Sequence, residues 1–318
     1  MYMDQPERRS FTVLWNASSG WDEKTAAAET VRQILSEQGR TVEMRRVEQG
    51  LDLCGESEQI AGSGTDVLVA AGGDGTLNAA ASALVHQSTA LGVLPAGTLN
   101  HFARDLEIPL ELSEAARLLV SGDVVRVDAA SVNGRVFINN SVLGLFPNYR
   151  AIKESWERRG FGRWRVGRWI AMLAGMLGVF WRLPSVFVRL EVGGQTRQFR
   201  TPFVLVANNE HQMEGFALGR RSSLNEGRLW VYIMRPHGRW KLLRMIAGLL
   251  LGRTPRRSIF EIYQASQLTI ESKRRRIGVG VDGEIVKMTS PLEFRSLPEA
   301  LRVIVPASYQ QRLESARR

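Results

Sequence analysis

The chain has 318 residues, 44% of them hydrophobic; that is enough for sizeable cores and longer than one typical domain, so two domains are expected. A single cysteine, Cys54, excludes an internal disulfide and any metal cluster built on several cysteines. A net charge of +10 points to an anionic partner, a nucleotide or an acidic lipid surface; nucleic acid is not expected, because no recognised nucleic-acid-binding module is visible.

The opening MYMDQPERRSF lacks the apolar core of a signal peptide, so a cytoplasmic chain is expected. FTVLWN (11–16) reads as a strand. Residues 21–40 place Val31, Ile34 and Leu35 at helical spacing, with Gly39 near the end. A strand at 41–47 and a polar helix or loop follow. DVLVAAGG (66–73) is a third strand, Ala79–His86 a helix and LGVLPAG (91–97) a fourth strand. LSEAARLLVSG (112–122) is a helix with Ser113 as its expected N-cap and Gly122 at its end. Strands alternating with helices predict a parallel sheet covered on both faces.

Beyond about residue 124 the texture becomes β-rich. Asn133-Gly134 and Gly193-Gly194 mark hairpins, and strands are expected at 186–192, 198–208, 227–235, 259–272 and 284–290. Helical segments are expected at about 155–182 and 239–252. The apolar run Trp169–Trp181 would span roughly 20 Å as a helix, short of the roughly 30 Å hydrocarbon layer of a bilayer. The expected division is an α/β domain with a parallel sheet over 1–124 and a mostly antiparallel β domain over 125–318. LRVIVP (301–306) is a strand able to pair with either domain, so 301–318 is a candidate return to the first.

The strand at 66–73 runs into Gly72-Gly73-Asp74-Gly75-Thr76. The carboxyl end of a parallel strand faces the crevice where α/β proteins bind ligands. Glycines there permit unusual backbone angles and let phosphate oxygens approach the amides, and a following helix points its positive end at them. Thr76 and Asn78 add side-chain donors. Asp74 would repel phosphate unless Mg²⁺ lies between, so the turn reads as a metal-nucleotide site. It lacks the Gly-Lys-Ser/Thr of a Walker A loop and is not GxGxxG. Taken alone, Gly-Asp-Gly is equally well an ordinary tight turn. A second loop, LPAGTLNHFARDL (94–106), also follows a strand and again offers Gly-Thr, then Asn100.

GGDGTLN (72–78) with PAGTLNHFARDLEIP (95–109) resembles the diacylglycerol kinase catalytic family, whose core sphingosine and other long-chain-base kinases share. The resemblance continues in order through VDAASVNGRVFINNSVLG (127–144), ANNEHQMEGFALGRRSSLNEGRLWVYI (207–233) and GVGVDGEIV (278–286). It implies a nucleotide domain, a β-rich second domain and an active site in the cleft between them. Gly72, Gly73, Asp74, Gly75, Thr76, Leu77 and Asn78 would cradle the phosphates of ATP. Thr98 would touch the nucleotide, as would Asn16 from a turn that lacks the family's proline. Glu284 would accept the proton of a lipid hydroxyl, diacylglycerol or a long-chain base, as it attacks the γ-phosphate. Asp282, Asp74 and Asp128 would organise Mg²⁺. An auxiliary metal site would use Glu226, where the family has aspartate, with the carbonyls of Ser223 and Arg228.

His101 stands where many relatives carry aspartate and reads as a solvated loop residue; His86, His211 and His237 are scattered and form no zinc pattern. The Trp- and Arg-rich segments 156–184 and 239–257 would bring the protein peripherally to a membrane, or pack inside the second domain. A homodimer stays open. Alternative functions are an NAD kinase-like enzyme, although its Gly-Ser-Thr-Ala-Tyr segment has no counterpart, and a non-catalytic membrane-associated nucleotide-binding protein.

Overall fold

The computed structural model describes residues 9–16, 22–47, 52–98, 100–144, 186–192, 194–214, 217–221, 223–235 and 260–316. The first half alternates strands and helices: β1 (Phe11–Asn16), α1 (Asp22–Ser36), β2 (Val42–Val47), α2 (Leu53–Gly62), β3 (Val67–Gly72), α3 (Asp74–Leu84), β4 (Ala90–Pro95), α4 (His101–Asp105) and α5 (Leu112–Ser121). β2, β1, β3 and β4 lie side by side in that order, all parallel. Every residue of β3 and β4 is buried, as their unbroken apolar sequences require of strands covered on both faces. Right-handed crossovers place α2 and α3 on one face and α1 and α5 on the other, in agreement with their mutual contacts. The strand order reverses between β1 and β3, so the ligand crevice of this sheet lies where Asn16 and Gly72 end their strands.

The second half is antiparallel. β5 (Asp123–Val132), β6 (Arg135–Phe137) and β7 (Asn140–Gly144) precede β8 (Val186–Val192), β9 (Gln195–Thr201) and β10 (Phe203–Asn208). β11 (His211–Glu214) and β12 (Ala217–Arg221) form a small ribbon, and β13 (Leu229–Met234) follows. β14 (Phe260–Ala265), β15 (Gln267–Ser272), β16 (Arg276–Val281), β17 (Glu284–Thr289) and β18 (Leu292–Val305) lead to a final helix α6 (Ala307–Ala316). A six-stranded sheet runs β14-β13-β10-β7-β16-β17. The remaining strands extend the parallel sheet through β18 into β15, β8 and β9.

β18 joins the two halves. Its start, Leu292 and Phe294, enters the core between the two sheets, and its end, Leu301, Val303, Ile304 and Val305, enters the core of the first domain. Along its length it pairs antiparallel with β5, and at Val303 it pairs parallel with Leu91 of β4. The strand expected at 301–306 is thus the last part of a 14-residue strand. α6 is tied back to the first domain by Arg312, 2.6 Å from Glu107.

Several local expectations change. The helix expected from Ala79 begins at Asp74, so the glycine turn is itself the first turn of α3. α5 is capped by Glu111, whose side chain accepts from the amides of Ser113 and Glu114, in place of Ser113. The runs 198–208 and 259–272 are each two strands, broken at Pro202 and Ser266, and each break carries the chain from one sheet to the other. The helical segments expected at 155–182 and 239–252 lie outside the described residues.

Candidate active site

The two glycine loops meet. A methyl group on Gly97 would run into the Cα of Gly73 and come within 2.8 Å of Asn100 Oδ1, and one on Gly72 would sit 2.5 Å from Thr76 Oγ1. None of Gly72, Gly73, Gly75 and Gly97 has a positive φ, so close packing, not left-handed geometry, demands glycine: against the Thr76 side chain at 72 and against the Gly73 backbone at 97. Gly73 is the extended N-cap of α3. Asn100 closes the second loop on itself: its side chain accepts from Gly97 N at 3.0 Å and donates to Gly97 O at 2.9 Å, with its own φ at 50°.

Gly75 is different. It is exposed in the first turn of α3, and a methyl group there would meet nothing within 4 Å. Glycine in a helix costs about 1 kcal/mol relative to alanine, and nothing in the described fold asks for it here. The residue leaves room in front of the α3 amides. Asp74 beside it is half-buried, and its Oδ1 lies 3.5 Å from the amide of Phe102 at the start of α4. Thr98 is exposed on the second loop. Thr76 and Asn78 are buried, and Asn78 Oδ1 has no protein partner. Leu77, expected in the phosphate cradle, is completely buried in the first core; its position on α3 turns it away from the loop. Asn16 ends β1 beside β3, at the same edge as Gly72.

The Asp282-Gly283 step is a two-residue hairpin turn between β16 and β17, with φ of 42° and 86°. Asp282 accepts from the amides of Ile138, Asn139 and Asn140 at 2.7, 3.0 and 2.8 Å. Burial pushes its pKa up to about 6, opposed by those three amides, which favour the carboxylate. Glu284 is exposed and pairs with Arg135 at 2.7 Å. Arg135 begins β6, which packs against α3, so this pair stands near the helix whose first turn holds Asp74.

A buried relay joins the two halves. Arg221, at the end of β12, donates to Asp105 of α4 through Nε at 2.7 Å, to Ile138 O at 2.6 Å and to Asn139 Oδ1 at 3.0 Å. Its side chain is wholly buried and its guanidinium lies 5.8 Å from the ring centroid of Phe102. Asp74, Phe102, Asp105, Arg221, the 138–140 backbone and Asp282 therefore form one chain of contacts across the domain seam. Neither Asp105 nor Arg221 stands out in the sequence: they are 116 positions apart, and each alone is an ordinary charge.

His211 likewise does not stand out in the sequence. It is buried, its Nδ1 lacks a partner, and burial together with the positive Arg221 lowers its pKa to about 3, so it stays neutral. His101 is exposed, as expected, but opens α4 instead of lying in a loop.

The residues that the resemblance assigns to metal have the following protein partners. Asp128 is buried and its two oxygens accept from Gly227 N at 2.7 Å and Glu299 N at 2.9 Å; desolvation raises its pKa against those bonds. It braces the 223–228 turn against β18. Glu226 accepts from the indole of Trp230 at 2.8 Å, and Arg228 O accepts from Asn209 N at 3.1 Å. Ser223 caps the same turn through its hydroxyl, 3.1 Å from Asn225 N. Among the described residues no three His, Cys, Asp or Glu side chains converge. The auxiliary site expected at Ser223, Glu226 and Arg228 is of another kind, one carboxylate with two carbonyls. Asp74 fits a different habit of Mg²⁺, in which one carboxylate joins substrate phosphates and water in the coordination shell.

Residues 10–132 match the diacylglycerol kinase catalytic domain, and residues 164–305 match the YegS C-terminal NAD kinase beta sandwich-like domain. A diacylglycerol kinase of Staphylococcus carnosus is 25% identical over 302 residues, which is 94% of this chain and 96% of that protein. A diacylglycerol kinase of Staphylococcus saprophyticus is 31% identical over 134 residues, 42% of this chain and 44% of that one. The crystal structure of a diacylglycerol kinase from Bacillus anthracis superposes with a TM-score of 0.70 at 20% identity, over 94% of this chain and 98% of that chain; this is a likeness of fold. The two domain matches between them take up more than half of the sequence, in the order and places where the glycine loops and the antiparallel sheets lie. The chain belongs to the diacylglycerol kinase catalytic family.

Proposed function

We propose that the protein is an ATP-dependent lipid kinase that transfers the γ-phosphate of MgATP to the hydroxyl of diacylglycerol or a long-chain base. The observation that carries this reading is the contact of two glycine loops at the carboxyl ends of β3 and β4, next to the β1/β3 crevice, with Gly75 leaving space before the α3 amides. Gly73, Gly75 and Thr98 would receive the phosphates there, and Asp74 would share a magnesium ion with them. Such an ion neutralises phosphate charge.

Glu284 then takes the proton from the acceptor hydroxyl. The oxygen of that hydroxyl forms the new bond to the γ-phosphorus, the bond from that phosphorus to the β,γ-bridging oxygen breaks, and ADP leaves with the electron pair. Arg135 orients the Glu284 carboxylate, and Asp282 holds the turn that presents it, through the 138–140 amides. Alignment does most of the work in phosphoryl transfer, and a placed base adds about 10²- to 10⁴-fold.

The acceptor implies work at a membrane surface by a peripheral protein. Among the described residues no helix is long and apolar enough to cross one. The test is labelled ATP with a total lipid extract, read by mass spectrometry. A phosphorylated lipid whose formation falls about 10²- to 10⁴-fold in Glu284→Gln supports the proposal. Label in NAD, or in no acceptor, overturns it.

A further inference from the structure

Asp105 and Arg221 form a buried ion pair across the seam, Asp105 from α4 just after the second glycine loop and Arg221 from the end of β12. Such a pair is weak support for stability, because taking two charges out of water offsets much of their attraction, and an apolar pair of similar size often serves as well. Nor is it needed to keep the halves together: β18 does that by backbone pairing with β15, β5 and β4. What distinguishes the pair is what it holds on either side.

On one side it grips the nucleotide loop. Asp105 receives Arg221 twice, from Nε at 2.7 Å and from the backbone amide at 3.1 Å. Asp105 shares its short helix with Phe102, whose amide lies 3.5 Å from Asp74 Oδ1 and whose ring centroid lies 5.8 Å from the guanidinium.

On the other side it reaches the catalytic turn through a single peptide. The carbonyl of Ile138 accepts from Arg221 Nη1 at 2.6 Å, and the N–H of the same peptide, that of Asn139, donates to Asp282 Oδ1 at 3.0 Å. The peptide's negative end thus faces the cation and its positive end the carboxylate, an alignment that strengthens both bonds in a buried setting. A peptide unit is planar and stiff, so the two charged groups are fixed relative to each other. Arg221 Nη2 adds a bond to Asn139 Oδ1 at 3.0 Å, and Asn208 steadies the strip through Ile138 O at 3.1 Å and Asn139 O at 3.0 Å. Asp282 in turn opens the two-residue turn that ends at Glu284.

We propose that Asp105 and Arg221 are positioning residues for phosphoryl transfer, setting the place of Glu284 relative to the nucleotide loop. The inference rests on the kinase reading above, with Glu284 as the base. It assigns the pair an effect on turnover, exerted through Glu284, and none on ATP binding.

The test is steady-state lipid phosphorylation, with calorimetric titration of ATP, for wild type, Arg221→Lys, Glu284→Gln and the double variant, each well below its thermal midpoint. Lysine keeps the charge and loses the planar fork that meets a carboxylate and a carbonyl at once. Arg221→Lys should lower kcat about 10²-fold, the cost of a misplacement of about 1 Å, and leave the Kd for ATP within about twofold. In the Glu284→Gln background the same change should cost less than about twofold, because its effect passes through the missing base. Asn139→Ala removes one arm of the strip and leaves the ion pair; it should lower kcat about tenfold, and it covers the case of an Arg221→Lys chain that does not fold. Equal losses in the two backgrounds, an unchanged kcat, or a loss carried by ATP affinity overturns the proposal. A wild type that phosphorylates no lipid refutes the kinase reading and this inference with it, whereas additive variants of an active kinase refute this inference alone.

Discussion

Gly75→Ala separates folding from function more cleanly than any other substitution in this protein. The residue sits in the first turn of α3 with helical backbone, and an added methyl meets nothing within 4 Å. Alanine is better than glycine in a helix by up to about 1 kcal/mol, and it also restricts the unfolded chain. The variant should therefore gain about 0.5–1 kcal/mol, a rise in thermal midpoint of about 2 °C for a chain of this size. The same methyl would occupy the space that the proposed phosphates need. ATP affinity should then fall by about 2 kcal/mol or more, some 30-fold, in line with overpacking of a well-fitted site. Calorimetry of unfolding and titration with ATP on the same sample read both effects. A stabilised variant with undiminished ATP binding would refute the placement of phosphate at this turn; a destabilised one would refute the structural account of α3.

Gly97→Ala should behave in the opposite way, losing both stability and nucleotide binding, because its methyl collides with Gly73 and with Asn100 Oδ1; thermal melting beside Gly75→Ala shows the contrast. Arg221→Met should cost about 3–5 kcal/mol in chemical denaturation, since it strands the buried Asp105 carboxylate, whereas removing both partners with Asp105→Leu should recover part of that loss. Stability should also depend on His211 in acid. Its pKa is about 3 when folded and near 6.5 when unfolded, so below pH 6.5 the unfolded chain binds more protons, and stability drops by up to about 1.4 kcal/mol per pH unit down to about pH 3. Asp282, raised to about 6 on folding, works the other way between about pH 4 and 6. Denaturation of wild type and His211→Gln across this range isolates the histidine: the variant should be less acid-sensitive, and identical profiles would contradict its burial as a neutral ring.

Much of this molecule is legible in its sequence because strand and helix periods are local. The alternation of β1 to α5, the antiparallel texture that follows, the hairpin at Asn133-Gly134, and the two glycine loops all follow from neighbours within a few residues. What neighbours cannot tell is where a residue points once distant strands meet. Leu77 belongs to the core because α3 turns it there, and Asp128 and Glu226 bind a backbone turn and an indole instead of standing open. Pro202 and Ser266 interrupt runs that look continuous, since each lies where the chain changes sheets. The Asp105–Arg221 pair and the contact of Lys273 with the ring of Phe187 exist only between residues tens to more than a hundred positions apart. Local chemistry chose the elements; long-range burial decided which charges face each other.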